Sequence, residues 1–159
     1  MNAICSALLT LLSTTFSTTF VRYFHGKQDV IAVDDLPILM IYPISTKQSH
    51  SGTIRDNAEY RIAVEIQVNL KNYYDNTSGQ GTALDSLAAV EALIEDRETD
   101  GDLKTSTVMG IINANLSVSS KVLYTDNMEV DYSITRVDNN IQRLKAVVTF
   151  SAYDRPNRT

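Results

Sequence analysis

The residues able to do chemistry are few and scattered along this chain. His25 and His50 both sit in polar surroundings, and neither has carboxylates or cysteines near it at the spacing of a metal site. The adjacent carboxylates Asp34 and Asp35 could hold a cation or exchange a proton, but such a pair just before Pro37 reads as a solvated turn. His50-Ser51-Gly52 places a hydroxyl beside an imidazole. A serine nucleophile needs that base oriented by a third group on a rigid elbow, and the polar run around it supplies neither. Gly79-Gln80-Gly81 lacks the third glycine of a dinucleotide turn and the Lys-Ser/Thr of a phosphate loop. No catalytic residue, cofactor or metal is assigned from these residues, and the chain reads as a protein that is not an enzyme. A small hydrolase using Asp34, Asp35 or His50 would require those side chains to converge in one pocket.

The elements that would position such residues are easier to read. Over 59–71, Tyr60, Ile62, Val64, Ile66, Val68 and Leu70 alternate with Arg61, Ala63, Glu65, Gln67, Asn69 and Lys71. Side chains of a strand point alternately to opposite faces, so this stretch demands one buried face and one wet or interfacial face. It is the strongest local signal in the sequence.

Length and composition set bounds. A chain of 159 residues with 43% hydrophobic content suits one domain, 1–159, able to bury a core without disulfides or metal. The single cysteine, Cys5, lies in an apolar run and behaves there as a small hydrophobe. With 14 Lys and Arg against 19 Asp and Glu, and no basic cluster, the net charge of −5 disfavours tight binding to phosphate backbones. A passage for DNA that does not hold its cargo stays compatible with that charge. The apolar run 4–12 resembles the core of a signal peptide, yet no Lys or Arg precedes it, and it is too short and too rich in hydroxyls to span a bilayer. A soluble protein made in the cytoplasm is expected, with no membrane partner.

Ile4, Leu8, Leu12, Phe16 and Phe20 recur at helical intervals and predict an amphipathic helix over 2–18, weakened by its many Thr and Ser residues. Val30, Ile31 and Val33 could form a short strand. The run from Leu36 to Tyr42, fenced by Pro37 and Pro43, reads as a strand buried on both faces. Residues 45–57 have no apolar period and are expected to form a mobile, functional loop whose removal would spare the fold and impair assembly. Thr82 opens a helix carried to about Arg97 by Leu84, Leu87, Leu93 and Ile94, and Thr105 or Ser106 caps a shorter one with Val108, Met109, Ile111 and Ile112. Three alternating runs close the chain: Val118 to Tyr124, Met128 to Ile134 and Leu144 to Ala152. Thr125-Asp126-Asn127 and Asp138-Asn139-Asn140 supply the turns between them, and the tail 154–159 is expected to fray. Strands on either side of a helical middle predict an α+β domain, a mainly antiparallel sheet with helices packed on one face. Eight tyrosines against no tryptophan suit a core or interface whose hydroxyls reach a wet edge, with Tyr42, Tyr60, Tyr124, Tyr132 and Tyr153 all on predicted strands.

This order of elements carries a resemblance. The N-terminal helix, Asp35-Leu36-Pro37-Ile38-Leu39-Met40-Ile41-Tyr42-Pro43, a polar loop, the alternating strand, a helix and a closing strand ending Phe150-Ser151-Ala152-Tyr153 resemble the tail terminator (tail completion) proteins of tailed bacteriophages over 1–153. The resemblance implies a structural virion protein, made in the host bacterium. Such subunits form a hexameric ring at the head-proximal end of the tail tube, end its polymerisation and present the surface that joins the head. Its implied partners are other copies of itself, the tail tube protein, neck or connector proteins and, in contractile phages, the last sheath ring; DNA passes through the lumen without specific binding. A closed ring repeats one heterologous contact, so each subunit needs two different complementary patches. The expected interface residues are Arg61, Glu65 and Gln67 on the polar strand face, and His50, Gly52, Gly79 and Gly81 in the loops. Another neck component, a head-completion or sheath-associated phage protein, would share this assembly logic.

Overall fold

The computed structural model describes residues 2–50, 56–70, 83–115, 124–138 and 141–153. Helix α1 (Asn2–Thr15) forms despite its hydroxyl residues, which would otherwise compete for the backbone. The Thr10, Thr14 and Thr15 hydroxyls donate to carbonyls one turn back at 3.0, 2.8 and 3.1 Å, so on the exposed side they fold onto their own helix. Ile4, Cys5, Leu8 and Leu12 face inward and are buried. The helix ends before the predicted residue 18. Tyr23 closes it by donating its hydroxyl to the Phe16 carbonyl, and the Phe16, Phe20 and Tyr23 rings meet edge to face at 5.8 Å.

Tyr23 belongs to β1 (Arg22–His25), which pairs in parallel with the start of β2 (Ile38–His50). β2 forms an antiparallel pair with β3 (Asp56–Asn69), and β4 (Tyr124–Asp138) forms another with β5 (Ile141–Tyr153). β5 lies against β3, giving a five-stranded sheet in the order β1-β2-β3-β5-β4. Only the β1–β2 pair is parallel, and the domain is α+β as expected. Two further helices, α2 (Ala83–Glu95) and α3 (Val108–Ala114), join α1 over one face of the sheet.

That face carries the core. Leu39 and Ile41 from β2, Ile62, Val64, Ile66 and Val68 from β3, and Leu144, Ala146, Val148 and Phe150 from β5 meet Leu8, Leu12, Val90, Ile94, Val108 and Ile112 from the helices. Burying each large side chain contributes on the order of 2 kcal/mol, and the period-two pattern of β3 places all of its core residues together. β2 is buried on both faces in its first half, as predicted. Ile38 and Met40 point away from the main core into a second cluster with Leu36, Phe24, Ile31 and Tyr42.

Four sequence expectations change. The segment 45–57 is not wholly a loop. Its residues 45–50 and 56–57 extend β2 and β3 in register from Ser45↔Arg61 to His50↔Asp56, while 51–55 lie outside the described residues. The reason no apolar period marks it is that Ser45 to Gln48 are exposed, while the backbone ladder to β3 keeps them in the sheet. Val30, Ile31 and Val33 make no strand; Val30 is 91% exposed, Ile31 packs on the second cluster, and Val33–Asp35 is a 3-10 turn. Thr125-Asp126-Asn127 is a bulge inside one long strand, with Asn127 at φ 54, because residues that tolerate turn geometry tolerate a bulge equally. Tyr124 and the run Met128 to Ile134 therefore share one strand, and 118–123 lie outside the described residues, as do 154–159. The cap of α3 is Thr107 rather than Thr105 or Ser106, its hydroxyl accepting from the Gly110 amide at 3.1 Å.

Candidate functional site

With every core-carrying helix among the described residues on one face, the functional surface is sought on the opposite face and on the edges of the sheet. Strands β3, β5 and β4 form cross-strand rungs there: Arg61, Ser151 and Asp126; Ala63, Thr149 and Glu129; Glu65, Val147 and Asp131; Gln67, Lys145 and Ser133. Neighbours on one rung are close enough for their side chains to interact.

Glu65 sits at the middle of this face and is only 1% exposed. A buried carboxylate is tolerated when its lone pairs are occupied. Tyr42 donates to Oε2 at 2.6 Å, Gln67 donates to Oε1 at 2.7 Å, and the Lys145 ammonium lies 3.3 Å from Oε1. Lys27 stands 5.8 Å above the Tyr42 ring centroid. Each carboxylate oxygen is thus engaged within the subunit, and the group ties β2, β3 and β5 together. A carboxylate this enclosed is a structural tie, and no substrate could reach it without displacing these donors.

The remaining expected site residues separate. Arg61 is exposed and paired with Glu129 at 3.3 Å, a solvent-screened contact of small energetic weight. Gln67 is half-buried and holds Glu65. His50 ends β2 opposite Asp56. Gly52, Gly79 and Gly81 lie outside the described residues. Asp35 is paired with Arg22 at 3.3 Å at the start of β2, whereas His50 lies at its other end, roughly 40 Å away at strand spacing, so these groups do not converge. Among the described residues no three His, Cys, Asp or Glu side chains gather as a metal site. A shallow depression on the outer side of α2, lined by Ala88, Glu91, Ala92, Glu95, Asp96 and Arg97, is acidic and open.

Tyr42 and Tyr132 hold carboxylates. Tyr132 donates to Glu95 at 2.8 Å, fixing β4 to the end of α2 as Tyr42 fixes β2 to Glu65. Burial, then the hydrogen bond to and charge of the carboxylate, push both phenols well above their ordinary range. The unfolded chain ionises its phenols near pH 10 while the folded one keeps these two neutral, so their contribution is complete below about pH 10 and is lost as pH rises above it. Thermal melts between pH 8 and 11.5 should therefore fall steeply above pH 10. Tyr42→Phe and Tyr132→Phe should each flatten that fall, by at most about 1.4 kcal/mol per pH unit. Equal slopes in all three proteins would contradict the carboxylate pairing.

The edges differ from one another. Beyond Ile41, no strand among the described residues covers the outer side of β2, and residues 43–48 are exposed. This stretch carries Lys47 and no acid. At the opposite edge β4 pairs only with β5, and Asp126, Glu129 and Asp131 are exposed along it. Sequence reasoning passed over Lys47, Asp131, Lys145 and Tyr42 as site residues, because their positions depend on register and strand order. Among the described residues no helix is long and apolar enough to cross a membrane. No protein-family model matches the chain, and no curated protein is matched by it.

Proposed function

We propose that this chain is a structural subunit of a phage tail-terminator ring, which ends tail-tube growth and presents the head-joining surface. The observation that carries this reading is a sheet with two unlike edges that no described strand covers, a neutral-to-basic one at β2 beyond Ile41 and an acidic one at β4. A heterologous ring contact needs two such dissimilar surfaces on each subunit. The resemblance in element order over 1–153 adds the tail-terminator class to that general logic. The acidic excess of the chain suits a lumen from which DNA phosphates are repelled during passage.

Light scattering over a concentration series, with negative-stain imaging, should find rings of about six subunits, either alone or on purified tail tubes as templates. Loss of the protein should leave overgrown tubes. Tubes of normal length that fail to join heads would assign the chain to another neck component. A monomer indifferent to tube ends would remove the ring reading altogether.

A further inference from the structure

The two uncovered edges match each other in more than charge. Strand directions alternate from β2 through β3 and β5 to β4, so β4 runs opposite to β2. A second copy placed beside the first in the same orientation would set its β2 edge antiparallel to β4, continuing the alternation. Both edges leave charge unspent. Lys47 and Asp131 are exposed and neither is in an ion pair among the described residues. Their rungs place them on one face: Lys47 is opposite Glu59, Asp131 is on the rung of Glu65, and Glu59 and Glu65 share the helix-free side of β3. Each edge also carries a large exposed apolar residue, Ile44 at 49% and Ile134 at 55%.

The spacing joins these facts. Three positions separate Ile44 from Lys47, and three separate Asp131 from Ile134. In an antiparallel pair one register therefore puts Lys47 opposite Asp131 and brings Ile44, the extra residue of the bulge between Pro43 and Ser45, beside Ile134. That register also sets Ser45 against Ser133. A slip by one residue would place each charge opposite a side chain on the other face and lose both matches.

We infer that copies of this chain join by strand addition, the β2 edge at residues 43–48 of one subunit pairing antiparallel with β4 residues 130–135 of the next, in the register Lys47 to Asp131 with Ile44 beside Ile134. This rests on the ring reading and supplies its contact. The backbone bonds give the attachment, the isoleucine pair and the ion pair select the register, and the unlike edges make the contact head-to-tail. The regular part of β2 begins after the bulge at Ile44, and that of β4 lies between the bulges at Asp126/Glu129 and Arg136/Asp138, so the pairing ends before β1 covers β2 and the bulges blunt the edges toward other pairings.

Cysteine pairing in the full-length chain tests it. Within one subunit residues 45 and 133 lie three strands apart and on rungs six residues apart along the strands, more than about 20 Å in all, so a Ser45→Cys/Ser133→Cys chain can close a disulfide only between copies. Cys5 is buried and burial raises its thiol, which keeps it out of the exchange. Mild oxidation should give a covalent ladder up to the closed ring, while the offset pair Ser45→Cys/Glu129→Cys should give little. Lys47→Glu or Asp131→Lys alone should weaken association roughly three- to tenfold, and the two together should restore it. Oligomers that form without the ladder and ignore the charge reversals would overturn the strand-addition contact and leave the ring reading standing. Absence of association, with or without tail tubes, would overturn both.

Discussion

Replacing Glu65 by alanine should lower the unfolding free energy by about 3 kcal/mol, one of the two largest single-site losses expected here. The carboxylate is buried, and its removal strands the Tyr42 hydroxyl, the Gln67 amide and the Lys145 ammonium that converge on it. Leaving buried donors unpaired costs more than the pairing itself gains, because each lost its water on folding. Lys145 keeps a side-chain exposure of 32% and recovers some hydration, which holds the loss near the lower end for a broken buried pair. The same reasoning predicts recovery. A quadruple variant, Glu65→Leu with Tyr42→Phe, Gln67→Leu and Lys145→Met, replaces the whole cluster by apolar groups of similar shape and should regain most of the loss. Urea denaturation of the three proteins decides the matter: a Glu65→Ala loss below about 1 kcal/mol would mean that the cluster is not the tie described.

Gly110→Ala should cost about as much, about 3 kcal/mol, by a different route. A Cβ at this position would stand 1.9 Å from the Lys104 carbonyl oxygen and 2.7 Å from its carbon, with the Thr107 hydroxyl at 2.9 Å. The nearest atoms are backbone, so no side-chain rotation can relieve the overlap. α3 must shift away from the turn before it. That shift breaks the Thr107 cap, in which the hydroxyl accepts from the Gly110 amide and donates to the Lys104 carbonyl. It also disturbs Val108, Met109, Ile111 and Ile112, all buried against the core. Calorimetry on Gly110→Ala, with Thr107→Ala as the cap-only comparison at about 1 kcal/mol, separates overlap from capping. Similar losses in the two variants would show that the overlap relaxes cheaply.

Glycine at 110 could not be singled out from the sequence. A glycine within an apolar helix reads as a weak spot, and only the approach of the 104–107 turn makes it obligatory. Tyr42 and Lys145 posed the same difficulty. They lie far apart in the chain and on different strands, and nothing in either neighbourhood states that both reach Glu65. Glu65 itself looked like an interface residue because alternation assigns it to the polar face; alternation cannot say that neighbouring side chains cover that face.

Local patterning determined much of the rest. The β3 alternation, the doubly buried start of β2, the apolar stripe of α1 and the buried side of α3 were all legible, since each depends on burial repeated at a strand or helix period. The α+β class followed from the order of those elements. Where the period was absent, in the exposed stretch 45–48 of β2, the strand was invisible, because backbone pairing leaves no trace in side-chain type. Strand order, the contact between β5 and β3 and the spacing shared by Ile44, Lys47, Asp131 and Ile134 across two edges belong to the tertiary structure alone. They are relations between residues distant along the chain, and such relations acquire a physical meaning only once the sheet has brought the strands to their places.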